Sequence, residues 1–208
     1  MVSRCQTRER LALTYKPPDP ATFIARVAAD PCCAAITAGA SVDSALASRT
    51  PVVVILRGNG LSLVPLVRRV HAAGKLVAVH IDLVSGVRQD HAGVAWLAAA
   101  GVDAVISSHG QLMASIRREG MTAIHRLLLV RRSQLDSAAQ AISRAAPSIV
   151  EVLPGVLFSS IVDRLPPFKV PVLAGGFIRT EGDVRAVMDA GALGVTTSAI
   201  ELWGDGGD

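Results

Sequence analysis

The sequence is poor in aromatic residues and in lysine. Only 3% of its 208 residues are Phe, Trp or Tyr, and lysine occurs only at positions 16, 75 and 169. So few aromatic side chains argue against a platform that stacks the bases of a single strand of nucleic acid. Lys75 and Lys169 both precede predicted strands, which disfavours enzymes that form a Schiff base at a strand end.

Cysteines and long hydrophobic runs are also scarce. Cys5, Cys32 and Cys33 are odd in number and two are adjacent, so neither a disulfide framework nor a metal site is indicated. No apolar run approaches the roughly 18 residues of a membrane helix, and the first residues lack the apolar segment of a signal peptide. The sequence predicts a soluble, cytoplasmic protein with no metal, no other cofactor and no membrane partner.

Small and branched aliphatic residues supply most of the hydrophobic content. Half of the chain is hydrophobic, mainly Ala, Val, Leu and Ile, and its length suits a single domain with a sizeable core. The formal net charge is +4. That charge permits a nucleic-acid partner but is modest for one.

Short apolar segments alternate with helical segments along most of the chain. The predicted strands cover residues 33–37, 52–56, 76–81, 104–106, part of 121–129, 149–152, 172–174 and 194–196. Alternation of this kind requires parallel strands joined by helical crossovers. Eight such units favour a closed (β/α)₈ TIM barrel, and an open doubly wound sheet is the alternative.

The regions outside the alternating pattern define the boundaries of the domain. Prolines interrupt residues 1–30, which we interpret as an arm followed by one helix over residues 21–29. The barrel is predicted to span residues 31–203. Residues 204–208 are expected to form a flexible tail.

The last two predicted units carry the signature of an anion site. One strand ends at Gly175 and Gly176, whose missing side chains let backbone N–H groups approach a ligand closely. The next strand ends at Thr197 and Ser198, and a short terminal helix, which Glu201 could cap, is expected to follow. Loops at these two places bind phosphate in many β/α barrels.

Polar residues are frequent at the other predicted strand ends, where the chemistry of a barrel takes place. They are Thr37, Arg57, His80, Asp82, Ser107, Ser108, His125, Arg126 and Glu151. Strand alternation sends His125 and Arg126 to opposite faces. We expect Arg126 to point into the barrel, because a guanidinium can grip a phosphate with two nitrogens, and His125 to be a packing residue.

Three roles remain open for the two carboxylates, Asp82 and Glu151. They could accept hydrogen bonds from hydroxyl groups of a ligand, act as acid and base, or pair with Arg126 inside the barrel.

Several segments together resemble one known family. They are residues 79–83 (VHIDL), 124–127 (IHRL), 151–156 (EVLPGV), 174–181 (AGGFIRTE) and 195–198 (VTTS). Over roughly residues 50–203 the sequence resembles the glycerol-3-phosphate-responsive antiterminators, the GlpP family. The resemblance implies a (β/α)₈ barrel that binds glycerol 3-phosphate and acts on the leader of messenger RNA in glycerol-utilisation operons.

Two classes of function follow from these observations. In the first, a sensor without catalytic residues binds the ligand through Asp82, Arg126, Glu151, Gly175, Gly176, Thr197 and Ser198. It contacts RNA through arginines of the barrel rim or of the arm, where Arg4, Arg8 and Arg10 lie. In the second, a phosphate-dependent barrel enzyme acts on a phosphorylated polyol as an isomerase, aldolase or prenyltransferase. The sequence leaves open whether the chain forms a homo-oligomer.

Overall fold

Eight parallel strands close into a barrel in the computed structural model, which describes residues 15–37, 39, 41–129, 132–165 and 168–205. With the short β4, which is not a barrel strand, the strands in chain order are β1 (Cys32–Thr37), β2 (Val52–Asn59), β3 (Leu76–His80), β4 (Val84–Ser85), β5 (Ala104–Ser107), β6 (Thr122–Leu128), β7 (Ile149–Leu153), β8 (Val172–Gly175) and β9 (Gly194–Thr197). Strand β1 pairs with both β2 and β9, so the sheet has no open edge. The two-residue β4 pairs with the end of β2 and lies outside the barrel. The predicted TIM barrel is confirmed, and the open doubly wound sheet is excluded.

Helices connect successive strands as the alternation predicts. They are α1 (Pro20–Ala29), α2 (Val42–Ala47), α3 (Gly60–Ala72), α4 (His91–Ala99), α5 (Met113–Arg118), α6 (Arg132–Ala145), α7 (Phe158–Ile161) and α8 (Glu181–Asp189). A capping box begins α8: Thr180 Oγ1 accepts the N–H of Asp183 at 3.1 Å, and an Asp183 carboxylate oxygen accepts the N–H of Thr180 at 2.9 Å. No helix in the described ranges is long and apolar enough to cross a bilayer.

Two of the segments that follow strands contain only short helical pieces. The segment after β7 is broken into a 3₁₀ turn (Gly155–Leu157), α7 and a second 3₁₀ turn (Val162–Arg164). The terminal helix after β9 is a single 3₁₀ turn, Ile200–Leu202, and it has no side-chain cap because its N-cap residue is Ala199. The predicted capping by Glu201 is therefore wrong.

Two apolar layers form the core. One fills the barrel interior with small and branched side chains, and the other lies between the strands and the surrounding helices. Helix α1 belongs to the interior layer: Phe23 and Val27 are 1% and 0% exposed and pack with interior residues of the strands. Val27 Cγ1 approaches Gly194, at the start of β9, so closely that an added Cβ there would lie 2.8 Å away. Helix α1 thus closes the amino-terminal end of the barrel.

Residues on either side of the predicted barrel also contact it. The ring of Tyr15 stacks on His71 with centroids 4.3 Å apart, and its hydroxyl donates to the buried carboxylate of Asp103. At the other end of the chain, Asp205 forms an isolated bridge with Ser48. Residues 206–208 of the predicted tail, and Arg4, Arg8 and Arg10 of the arm, lie outside the described residues.

Candidate functional site

An ion pair lies inside the barrel near the carboxyl ends of its strands. Arg126 of β6 and Glu151 of β7 are register partners and therefore point to the same face. Arg126 Nε donates to Glu151 Oε2 at 2.6 Å, and Thr196 Oγ1 of β9 donates to Glu151 Oε1 at 2.7 Å. The Glu151 side chain is fully buried, and the Arg126 side chain is 12% exposed. Of the three roles considered for Glu151, pairing with Arg126 is the one that the geometry shows.

The glycine at the end of β8 leaves space for this pair. A Cβ on Gly175 would lie 2.4 Å from Thr196 Oγ1 and 2.9 Å from Glu151 Oε1. Both distances are too short for any side chain. Glycine at this position is required by the hydrogen bond between Thr196 and Glu151.

The orientation of Arg126 and His125 agrees with the sequence-based expectation. His125 is buried on the outer side of the strand, where its Nδ1 donates to the carbonyl oxygen of Ser107 at 3.2 Å. An added Cβ on Gly110 would lie 3.6 Å from the imidazole. Burial lowers the pKa of His125, against the opposing effect of that hydrogen bond. His125 is therefore a packing residue beneath the helices, and Arg126 points inward.

Asp82 is held in place by two serines. Strand β3 ends at His80, and Asp82 lies in the following 3₁₀ turn, where strand alternation does not set the direction of its side chain. Ser107 Oγ donates to Asp82 Oδ1 at 2.6 Å, and the N–H and Oγ of Ser108 donate to Oδ2 at 2.8 and 2.6 Å. Burial opposes ionisation, but these hydrogen bonds outweigh it and lower the pKa of Asp82. Asp82 is therefore a fixed carboxylate at the mouth.

His80 stands on the interior face of β3, two residues after Ala78 of the interior cluster. Its side chain is buried and its Nδ1 has no hydrogen-bond partner among the described residues. Burial lowers the pKa of His80 to about 4, helped by the positive charge of Arg126 and opposed by Asp82 and Glu151. The imidazole is neutral at pH 7 and lies within electrostatic reach of all three predicted polar residues.

A side-chain hydrogen bond connects the loop after β8 with the end of β9. Thr197 Oγ1 donates to the carbonyl of Ile178 at 2.6 Å and accepts the N–H of Ala199 at 3.0 Å. The hydroxyl of Thr197 is thus engaged with the backbone, whereas Ser198 is exposed. Gly176 and Phe177 follow β8 with φ of 86° and 60°. Left-handed backbone is unusual for phenylalanine, and strained residues of this kind concentrate at functional sites.

Apolar side chains surround the polar centre of the mouth. Six exposed large hydrophobic residues lie at or just after strand ends: Leu61, Leu83, Leu128, Leu157, Phe177 and Ile200. A polar centre within an apolar rim is typical of small-molecule sites. The amino-terminal end of the barrel is closed by α1, and the mouth is the opposite end.

None of the three lysines lies at this mouth. Lys75 immediately precedes β3, where its Nζ donates to the carbonyls of Ser48 and Thr50 at 2.5 and 2.7 Å. Lys16 precedes α1, and Lys169 precedes β8. The mouth therefore offers no amine for a Schiff base.

Two residues of this arrangement were not included in the predicted ligand set. Thr196 binds Glu151, and His80 stands beside Arg126. Both are polar residues on the interior face of a strand: His80 follows Ala78, and Thr196 follows Gly194. The alternation of side chains along β3 and β9 could have shown that His80 and Thr196 point inward, because each lies two positions after an interior residue.

In comparisons with known proteins, the chain matches one family. The chain matches the family described as glycerol-3-phosphate responsive antiterminator over residues 32–203. The crystal structure of the glycerol uptake operon antiterminator regulatory protein from Listeria monocytogenes is 29% identical, has a TM-score of 0.79, and the match covers 84% of this chain and 95% of that one.

Two other proteins are similar over most of their length. A glycerol uptake operon antiterminator-related protein from Thermotoga maritima has a TM-score of 0.74 over 83% of this chain and 96% of its own; at 23% identity it shows the shared fold alone. The uncharacterized protein YgcP of Escherichia coli K12 is 26% identical over 175 residues, which cover 84% of this chain and 92% of YgcP. The family is regulatory rather than enzymatic, which sets the isomerase, aldolase and prenyltransferase alternative aside. The match over residues 32–203 includes every barrel strand, and the chain belongs to the glycerol-3-phosphate responsive antiterminator family.

Proposed function

We propose that the protein binds glycerol 3-phosphate at the barrel mouth and, in response, acts in the cytoplasm on the leader mRNA of glycerol-utilisation genes as a transcription antiterminator. One observation carries the proposal. The open end of the barrel places an interior polar cluster beside the glycine loop of β8 and the hydroxyl-bearing loop of β9. Family membership supports glycerol 3-phosphate as the ligand and antitermination as the readout of such a mouth.

The phosphate group would bind the two joined loops. Backbone N–H groups around Gly175, Gly176, Thr197 and Ser198 are the proposed donors, because glycine permits close approach and the Thr197 hydroxyl is already engaged. Arg126 would assist. Its Nε is committed to Glu151, but a guanidinium carries two further nitrogens that can donate to a phosphate oxygen.

The hydroxyl groups of the ligand would face Asp82, across the mouth from the glycine loop. Asp82 is ionised and half-buried there. Glu151 contributes through its ion pair, since both of its oxygens already accept hydrogen bonds. A dianionic phosphate at the glycine loop and hydroxyls near Asp82 would keep like charges apart.

RNA would be bound through arginines of the mouth and of the arm. Arg57 and Arg179 are exposed at the ends of β2 and β8, and within the described residues neither side chain has an ion pair. Arg69, by contrast, donates to Asp43 at 2.6 Å. A ligand ordering the mouth loops would alter the surface that carries Arg57 and Arg179, which would couple the two binding events.

Calorimetric titration tests the ligand part of this proposal. Glycerol 3-phosphate should bind saturably, more tightly than either glycerol or inorganic phosphate, and NMR of the incubated ligand should show no chemical conversion. Binding of all three with equal weakness, or turnover of the ligand, would contradict the proposal.

Fluorescence anisotropy tests the RNA part. A glycerol-operon leader RNA should bind more tightly with glycerol 3-phosphate present, and its affinity should fall steeply between two salt concentrations because phosphate contacts release counterions. An RNA affinity that changes with neither the ligand nor the salt concentration would contradict the proposed regulation through leader RNA and leave only a ligand-binding barrel.

A further inference from the structure

His80 is the buried polar side chain of the mouth that the protein itself leaves without a partner. The residue is 4% exposed, yet Nδ1 makes no hydrogen bond to any described residue. Buried polar atoms are almost always paired, since an unpaired one forfeits the hydrogen bond it made with water in the unfolded chain. An exception in a binding site calls for a partner that arrives from outside.

The neighbouring polar groups of the mouth are already occupied by protein. Glu151 accepts from Arg126 and Thr196, and Asp82 accepts three hydrogen bonds from Ser107 and Ser108. A small ligand inside the mouth therefore meets, in the imidazole of His80, a buried nitrogen with no partner among the described residues.

The position of β3 in the barrel sets the direction of this contact. Around the closed eight-stranded sheet, three strands lie between β3 and β8 in either direction, so β3 and β8 stand on opposite sides of the mouth. A phosphate group on the loop of β8 would place the rest of the molecule across the mouth, toward β3. His80 is positioned to meet the end of the ligand that does not carry the phosphate.

The charge around His80 indicates what that end of the ligand carries. The ring lies within electrostatic reach of Arg126 as well as Asp82 and Glu151, and it is neutral. A neutral imidazole offers an anionic group no opposite charge, whereas a hydroxyl can donate to or accept from its nitrogens.

We infer that His80 forms a hydrogen bond with a hydroxyl group of the bound ligand, and so selects phosphorylated polyols over alkyl phosphates that lack hydroxyls. This inference rests on the proposed function, because it assumes that a phosphate ester occupies the mouth. It adds a residue outside the predicted ligand set and assigns it a part in specificity.

Titration of three ligands into two variants tests the inference. The ligands are glycerol 3-phosphate, propyl phosphate and inorganic phosphate; propyl phosphate keeps the three-carbon ester and lacks both hydroxyls. His80→Leu should lose about tenfold in affinity for glycerol 3-phosphate, equivalent to about 1.4 kcal/mol, with little change for the other two ligands. His80→Asn, which retains polar atoms near the position of Nδ1, should lose less.

A measurement on the wild-type chain keeps the test independent of how the variants fold. The ¹⁵N signals of the His80 side chain, assigned by their loss in His80→Asn, should shift on addition of glycerol 3-phosphate and remain in place with inorganic phosphate. Thermal melting of each variant identifies any loss of affinity that comes from unfolding.

The outcomes separate this inference from the function on which it rests. Absence of glycerol 3-phosphate binding by the wild-type chain would overturn both. Tight binding by the wild-type chain, with equal affinity in folded His80→Leu or unmoved ¹⁵N signals, would leave the proposed function standing and overturn the role of His80. A preference for glycerol 3-phosphate over propyl phosphate that disappears in His80→Leu would support the inference.

Discussion

Replacing Arg126 with alanine should destabilise the fold strongly. The substitution removes the cation that pairs with Glu151, whose side chain is fully buried. The remaining partner of that carboxylate is the hydroxyl of Thr196 at 2.7 Å, which is neutral. The variant would bury a carboxylate charge without an opposite charge beside it.

The size of the effect follows from the burial of the pair. Breaking a buried ion pair by removing one member costs about 3–5 kcal/mol, a large part of the roughly 5–15 kcal/mol that stabilises a typical domain. Replacing both members, as in Arg126→Met with Glu151→Gln, removes the orphaned charge together with its partner. That double variant should recover most of the free energy of unfolding that the single variant loses.

Urea denaturation followed by circular dichroism measures these differences. The matched control is Arg185→Ala, which removes an Arg–Glu pair of 3.3 Å on the surface of α8, where both side chains are more than 70% exposed. Its cost should stay below about 1 kcal/mol. If Arg126→Ala cost no more than this control, the buried pair would not stabilise the fold and the reasoning would be refuted.

Three further substitutions test other parts of the molecule. Gly176→Ala places a Cβ on backbone with φ of 86°, so it should lower the free energy of unfolding by about 1 kcal/mol and weaken the binding of inorganic phosphate in calorimetry. The control is Gly182→Ala in α8, whose added Cβ meets only Thr180 Oγ1 at 3.6 Å. It should lower neither the stability nor the phosphate affinity. Phe23→Ala should cost about 3–5 kcal/mol in urea denaturation, because the ring is 1% exposed inside the closed end of the barrel; a small cost would show that α1 is not part of the core. Burial, aided by Arg126, lowers the pKa of His80 from 6.5 to about 4, so the stability that depends on the neutral ring is complete above about pH 6.5 and is lost as the pH falls through 4. The wild-type chain should therefore lose up to about 3 kcal/mol more than His80→Leu across this window, and parallel pH profiles would contradict the buried neutral imidazole.

The barrel could be predicted from the sequence because its signal is periodic. Each unit repeats an apolar strand and a helical crossover, and the structure places a strand at every predicted position. Arg126 could be placed inside the barrel for the same reason, since alternation within a strand is local.

Contacts between distant segments could not be predicted in this way. Nothing near Thr197 in the sequence shows that its hydroxyl bonds to Ile178, 19 residues away. Asp82 follows the end of β3, where the alternation rule no longer applies. The closure of the barrel by α1 likewise depends on packing between Phe23 and strands far along the chain.

Some residues of the site stabilise the barrel, and others are free to bind a ligand. Mutations in these two groups must be interpreted differently. Glu151 and Arg126 satisfy one another inside the core, so a loss of ligand response in their variants follows from instability as readily as from a lost contact. Ser198 is exposed and His80 lacks a protein partner at Nδ1. Substitution at exposed Ser198 removes little that the fold uses. Substitution at His80 removes buried packing but no hydrogen bond of Nδ1, so its effect on affinity reports on the ligand once thermal melting shows that the variant is folded.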